Sequence, residues 1–347
     1  MVPPERIFIT QGGRWRASVG VKRSGQGYGH WPGTSGWGLT ATLVGAVIGA
    51  GFATGREILQ FFALHGVYGY AGMAFAAALF WWFAGSLVEF QLREQCNTYG
   101  ELYRRLTGPL MGILLDWGTT LFFFAGLSVT LAGLAALLWQ QWRVPTGSAL
   151  ALAGALCMVV AAAGPRSVLR FNQLLVPLLL LLLGGLCVLE WVAPLQGPGI
   201  KAVSNPVITV PAVEVWGSTQ TPPTAFWLAS AFLYFAYNAL FIGVTIVAVV
   251  QPDANQPVQR TGARAWNSQP QVWHRFHGRM AGLIIGVLGA AVLTILEPRA
   301  ASLVEVPVPL AAIAVERGTA PATLFAVAPA LALLTTAVAE IFGIAAR

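Results

Sequence analysis

The chain has 347 residues, of which 56% are hydrophobic and 10% are charged; its formal net charge is +7 and its mean hydropathy is +0.68. Soluble domains carry about 25% charged residues, so this composition excludes an ordinary soluble protein and a disordered chain. Three cysteines are too few for a disulfide framework. The composition therefore favours an integral membrane protein, whose excess of arginine marks cytoplasmic loops rather than a nucleic-acid surface.

The first segment, 1–37, is basic and glycine-rich and has no apolar core like that of a signal peptide, so we expect a disordered cytoplasmic tail. Eight uncharged apolar stretches follow, each close to the ~18 residues that cross a bilayer core as a helix. They lie at 39–55, 69–88, 118–139, 147–164, 171–189, 225–250, 280–296 and 320–339. The prediction is an all-α integral membrane protein with about eight transmembrane helices.

These stretches divide the chain into five spans within 38–193, an extracytoplasmic loop at 194–224, and three spans within 225–347 that include a polar cytoplasmic insert at 251–279. With the N-terminus inside, fifteen Lys and Arg residues fall on cytoplasmic segments and four on outer loops. This bias predicts a multi-pass membrane protein with both termini in the cytoplasm. The mixed segment 298–319 is expected to be a surface or re-entrant segment.

The most informative motif is Gly-Ala-Val-Ile-Gly-Ala-Gly-Phe-Ala-Thr-Gly-Arg-Glu at 45–57. Glycines weaken a helix, and freed backbone groups inside a membrane must face protein or a wet cavity. The motif is typical of a broken transporter helix, whose free amides can hold a carboxylate and whose free carbonyls can hold a cation. Close helix packing through the glycines is an alternative. A dinucleotide-binding turn would need a strand and a later acidic residue, but an apolar run follows.

Two further stretches carry polar groups inside apolar spans. Tyr234, Tyr237 and Asn238 lie in the middle of the sixth span, where polar side chains often mark a substrate path or else bond between helices. Thr335 and Thr336 lie in the last span and can either coordinate Na⁺ or bond back to their own helix. We expect interfacial positions for Glu89, Asp116, Glu190 and Glu340. No catalytic constellation or zinc pattern is recognisable, so we expect no enzyme.

The motif at 45–58 resembles the signature of the bacterial YkvI-type membrane proteins, which are grouped with the amino acid–polyamine–organocation (APC) transporter superfamily. The resemblance implies a location in the bacterial cytoplasmic membrane. The runs Ala-Phe-Leu-Tyr-Phe-Ala-Tyr-Asn at 231–238 and Leu-Thr-Thr-Ala at 334–337 resemble further landmarks of that family, in the same order. The resemblance implies the LeuT-like fold, a 5+5 inverted repeat in which the first and sixth helices are broken around the substrate. The last two helices of that repeat have no counterpart in this chain, and 298–319 corresponds to the loop that caps the site.

The resemblance implies a secondary active transporter, a Na⁺ symporter, for an amino acid or related small organic solute, working by alternating access. Protons carried by Glu57 or Glu340 are the alternative coupling ion. A non-transporting membrane protein, such as a receptor, a scaffold or a truncated, degenerate transporter, is the alternative function. The expected partners are the lipid bilayer and the solute, with no nucleic acid and no cofactor beyond Na⁺. The implied substrate-binding residues are Gly49, Ala50, Gly51, Phe52, Ala53, Thr54, Gly55, Glu57, Tyr234, Tyr237 and Asn238, and the implied Na⁺ site is formed by Gly45, Ile48, Thr335 and Thr336.

Overall fold

A computed structural model of the protein describes residues 36–94, 96–163, 165–194, 226–250, 269–306 and 308–345. These residues form helices, with no strand among them. Nearly all of the predicted tail and outer loop, and most of the predicted polar insert, lie outside the described residues. The helices are α1 Gly36–Val47, α2 Ala50–Thr54, α3 Arg56–Phe61, α4 Val67–Glu94, α5 Tyr99–Thr107, α6 Pro109–Trp142, α7 Thr146–Ala162, α8 Pro165–Val192, α9 Trp227–Val249, α10 Gln269–Leu296, α11 Ala300–Leu303, α12 Pro309–Glu316 and α13 Thr319–Ala345.

Each of the eight apolar stretches coincides with helical structure. Five helical segments are long and apolar enough to cross a membrane: Val67–Glu94, Pro109–Trp139, Arg170–Val192, Trp227–Val249 and Trp273–Leu303. Three further apolar helical segments are shorter, namely Gly36–Val47, Thr146–Val160 and Val327–Ile341. The all-α prediction is confirmed for the described residues, whereas the total of eight spans stays a prediction. Residues 269–279, predicted as part of the polar insert, belong instead to α10.

The first span is interrupted twice, as its glycines predict. Helix α1 ends at Val47, and the amide of Gly49 donates to the carbonyl of Val47 at 2.8 Å. The carbonyl of Gly45 thereby loses the amide that would donate to it in a continuous helix. Helix α2 is only five residues long and ends at Gly55, whose φ of 79° is left-handed. Because glycine has no Cβ, it adopts this conformation without steric cost, and α3 leaves in a new direction.

The sixth span is not interrupted, which corrects the expectation drawn from the family resemblance. Helix α9 runs without a break from Trp227 to Val249 and carries the tyrosines and Asn238 on regular turns. No glycine or proline occurs between Trp227 and Ile242, so nothing in this stretch disrupts the backbone hydrogen-bond ladder. The discontinuity that shapes the candidate site therefore comes from the first span alone.

Helices α4 and α10 form the closest helix pair near the site, and a row of glycines permits it. Gly278, Gly282 and Gly286 recur every four residues on α10 and face α4. A methyl group on Gly282 would lie 2.4 Å from the backbone nitrogen of Trp81, and one on Gly286 would lie 2.4 Å from the Cβ of Ala77. Small residues at this spacing allow two backbones to approach closely inside a membrane. Helices α2 and α9 pack against this pair of helices.

Candidate functional site

The carboxylate of Glu57 folds back from α3 onto the glycine-rich break. A methyl group on Gly51 would come within 2.1 Å of its Oε1 atom, so the side chain occupies the space that the missing Cβ leaves. The reversal at Gly55 brings α3 into this position. The Oε2 atom is buried and has no hydrogen-bond partner among the described residues. A buried carboxylate oxygen without a partner is costly unless a cation or a hydrogen-bond donor reaches it.

Two tyrosines of α9 face this carboxylate. Both tyrosines lie close enough to Glu57 to interact with its charge. The ring of Tyr234 is fully buried and meets Phe62 edge-on, with ring centroids 5.0 Å apart. Its hydroxyl is a second buried polar group with no hydrogen-bond partner in the described part of the chain. The predicted stretches around Glu57 and around Tyr234 therefore meet at one point.

Other polar side chains of the predicted substrate site hydrogen-bond to the backbone of their own helices. The amide of Asn238 donates to the carbonyl of Tyr234 on its own helix at 3.0 Å, and the hydroxyl of Thr54 donates to the carbonyl of Gly51 at 3.0 Å. Phe52 and Ala53 are fully buried in the main hydrophobic cluster. These four side chains shape the break and its packing, and the polar groups that converge are those of Glu57 and the tyrosines.

Of the two threonines predicted to bind Na⁺, one bonds to its own helix and the other faces the first break. Thr335 donates its hydroxyl to the carbonyl of Ala332 on its own helix at 2.9 Å. The hydroxyl of Thr336 instead faces the first break, because a methyl group on Gly49 would lie 2.9 Å from its Oγ1 atom. This hydroxyl has no hydrogen-bond partner among the described residues. Ala50 packs beside it against Leu333 and Leu334 of α13.

Asn172 of α8 is a polar neighbour of the break that sequence reasoning missed. A methyl group on Gly45 would lie 2.5 Å from Val176 and 3.9 Å from the side-chain amide carbon of Asn172. Asn172 is buried, and its Oδ1 atom has no hydrogen-bond partner in the described residues. An oxygen of this kind near an interrupted helix is a potential cation ligand. Its position at a span end in the sequence gave no signal of this role.

The segment 297–318 lies over the second break. Leu310 of α12 packs against Gly55, where a methyl group would come within 2.7 Å of its Cγ atom. Arg56 donates through Nη1 to the carbonyl of Val304 and, at 3.2 Å, to that of Val306. The guanidinium of Arg56, the first residue of α3, thus holds the segment in place by donating hydrogen bonds to its backbone carbonyls. This geometry fits the covering role that the resemblance assigns to the segment.

Glu190, predicted to be interfacial, lies near the end of α8, is buried within the protein and holds the same segment in place. Its carboxylate accepts from Arg299 at 3.1 Å and from Arg317 at 2.7 Å. The Glu190 side chain is only 4% exposed. The two arginines flank α11 and α12, so one acid fixes both ends of the segment.

Replacing Glu190 by Gln is expected to lower the free energy of unfolding by about 3 kcal/mol, because two largely buried arginines lose their counter-charge. The measurement is the melting temperature of the purified protein in detergent. Glu94→Gln is the matched control: its partner is Arg105, and both side chains are at least 40% exposed. Such a pair contributes at most about 1 kcal/mol. Equal melting temperatures for the two variants would contradict the clamp.

Glu340 of α13 is also buried within the protein, and its interfacial position stays a prediction. A methyl group on Gly126 of α6 would lie 2.4 Å from its Oε1 atom, and its Oε2 atom is buried without a hydrogen-bond partner among the described residues. Thr130 of α6 and Cys157 of α7 are further polar neighbours. The acid therefore sits between helices, one turn beyond Thr336.

Comparison with known proteins finds a membrane protein that is similar in sequence. The chain is 29% identical over 225 residues to the uncharacterized membrane protein YkvI of Bacillus subtilis (strain 168). The match covers 65% of this chain and 60% of YkvI, so the chain matches less than two thirds of that relative. No protein-family model matches the chain. The similarity and the long apolar helices together support a YkvI-like, multi-pass membrane protein.

Proposed function

We propose that the protein is a Na⁺-coupled secondary transporter of a small solute that carries an amino group, with an amino acid as the favoured class. The single observation that carries the proposal is the buried Glu57 carboxylate, placed between an interrupted helix and the tyrosines of α9. We place the chain in the APC superfamily with a LeuT-like arrangement around this site, on the resemblance of its motifs. Interrupted helices at mid-membrane are typical of solute sites in such transporters.

The chemistry of the site favours an amino group over other solute groups. The carboxylate has an unpartnered oxygen, and the described residues place no arginine or lysine against it. The nearest arginine in sequence, Arg56, is engaged by the outer segment. An ammonium group of a solute would supply both the charge and the donors that this carboxylate lacks. The hydroxyls of Tyr234 and Tyr237 would orient the solute beside it.

The first break supports a separate Na⁺ site. Thr336 contributes a free hydroxyl oxygen, and the interrupted ladder leaves the Gly45 carbonyl without its helical donor. Main-chain carbonyls of unwound helices are the usual Na⁺ ligands in this kind of transporter. Because α2 connects the two breaks, an ion at Gly49 and a solute at Glu57 would both depend on the position of the same five-residue helix. That shared dependence provides a structural basis for coupling.

The burial of the site supports a mechanism of alternating access. Tyr234 and Phe52 are fully buried, and the segment held by Arg56 and Glu190 covers Gly55. A solute can reach Glu57 from the outer side only if this segment moves. Opening would break the hydrogen bonds of Arg56 to two carbonyls. These bonds keep the covering segment closed unless another interaction replaces them.

The test is a melting-temperature screen of the purified protein against amino acids and simple amines, in NaCl and in choline chloride. We expect stabilisation by solutes with a free amino group and none by their N-acetylated forms, because acetylation removes the ammonium charge. Glu57→Gln should abolish the stabilisation while leaving the protein folded. Glu94→Gln, which removes an exposed carboxylate, should retain it.

Stabilisation that persists in Glu57→Gln would contradict the assigned role of Glu57. Equal effects of acetylated and free amines would contradict the amino-group class. If stabilisation depends on pH but not on Na⁺, protons rather than Na⁺ are the coupling ion, and Glu340 becomes the group to replace next.

A further inference from the structure

A second polar site lies where α4 and α10 meet, near the C-terminal end of α4. We name it the arginine cleft and define it by Arg275, Arg279, Glu89 and Trp81. The guanidinium of Arg279 lies over the ring of Trp81, 4.5 Å from its centroid. The stem of Arg279 rests on Gly85, where a methyl group would come within 2.7 Å of its Cγ atom. Helix α4 is therefore shaped to receive this side chain.

The hydrogen-bonding capacity of the cleft is not used up. The Nε atom of Arg279 is buried and has no hydrogen-bond partner among the described residues, and the same holds for Nε of Arg275. Arg275 forms an ion pair with Glu89 at 3.1 Å, and Glu89 is shared with Arg93. Two arginines, Arg275 and Arg93, thus share one carboxylate, and Arg279 has no carboxylate partner among the described residues. The cleft carries a net positive charge and directs donors at an anion that the protein itself does not provide.

The surroundings of the cleft are those of a membrane interface. Trp81 is 43% exposed and Trp273 is 59% exposed. Further along α10, Leu283 and Val287 are exposed apolar side chains. Tryptophans concentrate at the level of the lipid headgroups, and apolar side chains beyond them face acyl chains. An anionic group bound in the cleft would therefore have an apolar surface directly beside it, which is suited to an acyl chain.

We propose that the arginine cleft binds the phosphate of an anionic membrane phospholipid. The phosphate would accept from Arg279 and Arg275, both of which present planar groups suited to phosphate oxygens. The acyl chains would lie along the exposed apolar side chains of α10. The occupant is a lipid rather than free phosphate because the cleft opens beside exposed tryptophan and aliphatic side chains within a candidate span. This site is independent of the proposed transport function.

The test is native mass spectrometry of the purified protein, offered equal amounts of phosphatidylglycerol and phosphatidylcholine with identical acyl chains. We expect a preference for phosphatidylglycerol of about fivefold per engaged arginine. Arg279→Gln should reduce this preference to near equality, and Arg279→Lys should retain part of it. Inorganic phosphate in excess should not displace the bound lipid. If Arg279→Gln does not yield folded protein, Trp81→Leu provides the second variant, with a reduced preference expected.

Arg143→Gln is the matched control, because Arg143 also lies over a tryptophan, 6.0 Å from the ring of Trp139, but outside the cleft. This variant should keep the full lipid preference. Equal binding of the two lipids to the unaltered protein, or an unchanged preference in Arg279→Gln, would overturn the proposal. Displacement of the lipid by inorganic phosphate would also overturn it, since the site would then serve a soluble anion.

Discussion

Replacing Gly282 by Ala should lower the free energy of unfolding by about 3 kcal/mol, since the new methyl group would lie 2.4 Å from the backbone of Trp81. Backbone cannot rotate aside as a side chain can, so α4 and α10 must separate. Their separation would also disturb the contact between Gly289 and Met73, next to Phe52 of the broken helix. The measurement is the melting temperature and the yield of monodisperse protein in detergent.

Gly184→Ala in α8 is the control for this experiment. Apart from its chain neighbours and the backbone of its own helix, no atom of the described residues lies within 4 Å of the position its methyl group would occupy, and Ala is a better helix former than Gly. The control should therefore melt at the same temperature as the unaltered protein or slightly higher. If Gly282→Ala behaves like Gly184→Ala, the close α4–α10 pairing is wrong.

Thr336→Val should remove the effect of Na⁺ on the protein without lowering its stability in choline chloride. Valine has nearly the shape of threonine but no hydroxyl. The Thr336 hydroxyl is buried without a hydrogen-bond partner in the described part of the chain, so its loss should stabilise the Na⁺-free protein by up to about 1 kcal/mol. Loss of one ligand should weaken Na⁺ binding about tenfold or more. The measurement is the melting temperature as a function of NaCl concentration at constant ionic strength.

Thr335→Val provides the neighbouring comparison on the same helix. Its hydroxyl already donates to the carbonyl of Ala332, so it does not face the break. We expect a Na⁺ response close to that of the unaltered protein. A lost response in Thr335→Val together with a normal one in Thr336→Val would show that α13 faces the break with its other threonine.

The sequence was sufficient to predict the helices and the interruption of the first span. Apolar stretches have few alternatives to helices inside a bilayer, and the glycines of the motif mark both breaks, at Gly49 and at Gly55. The sequence also contains the pattern of a close helix pair on α10, because Gly278, Gly282 and Gly286 recur at a four-residue spacing.

The side-chain partners were not predictable in the same way. Adjacent helical residues differ by about 100° in direction, so the sequence alone cannot say whether Thr335 or Thr336 faces the break. Glu190 and Arg317 are joined by tertiary packing across 127 positions, which no local pattern encodes. The polar residues of α9 suggested a broken sixth helix by resemblance, but the intact backbone of this stretch satisfies its own hydrogen bonds, including one from Asn238.

The most direct test of the transporter proposal is uptake of a pooled mixture of radiolabelled amino acids by proteoliposomes that contain the purified protein. With an inward Na⁺ gradient we expect accumulation above equilibrium, which collapses when Na⁺ is equal on both sides. Thr336→Val should lose the dependence on the gradient, and Glu57→Gln should lose uptake altogether. Uptake that ignores the Na⁺ gradient would contradict Na⁺ coupling, and no uptake by folded protein under any gradient would contradict transport of amino acids.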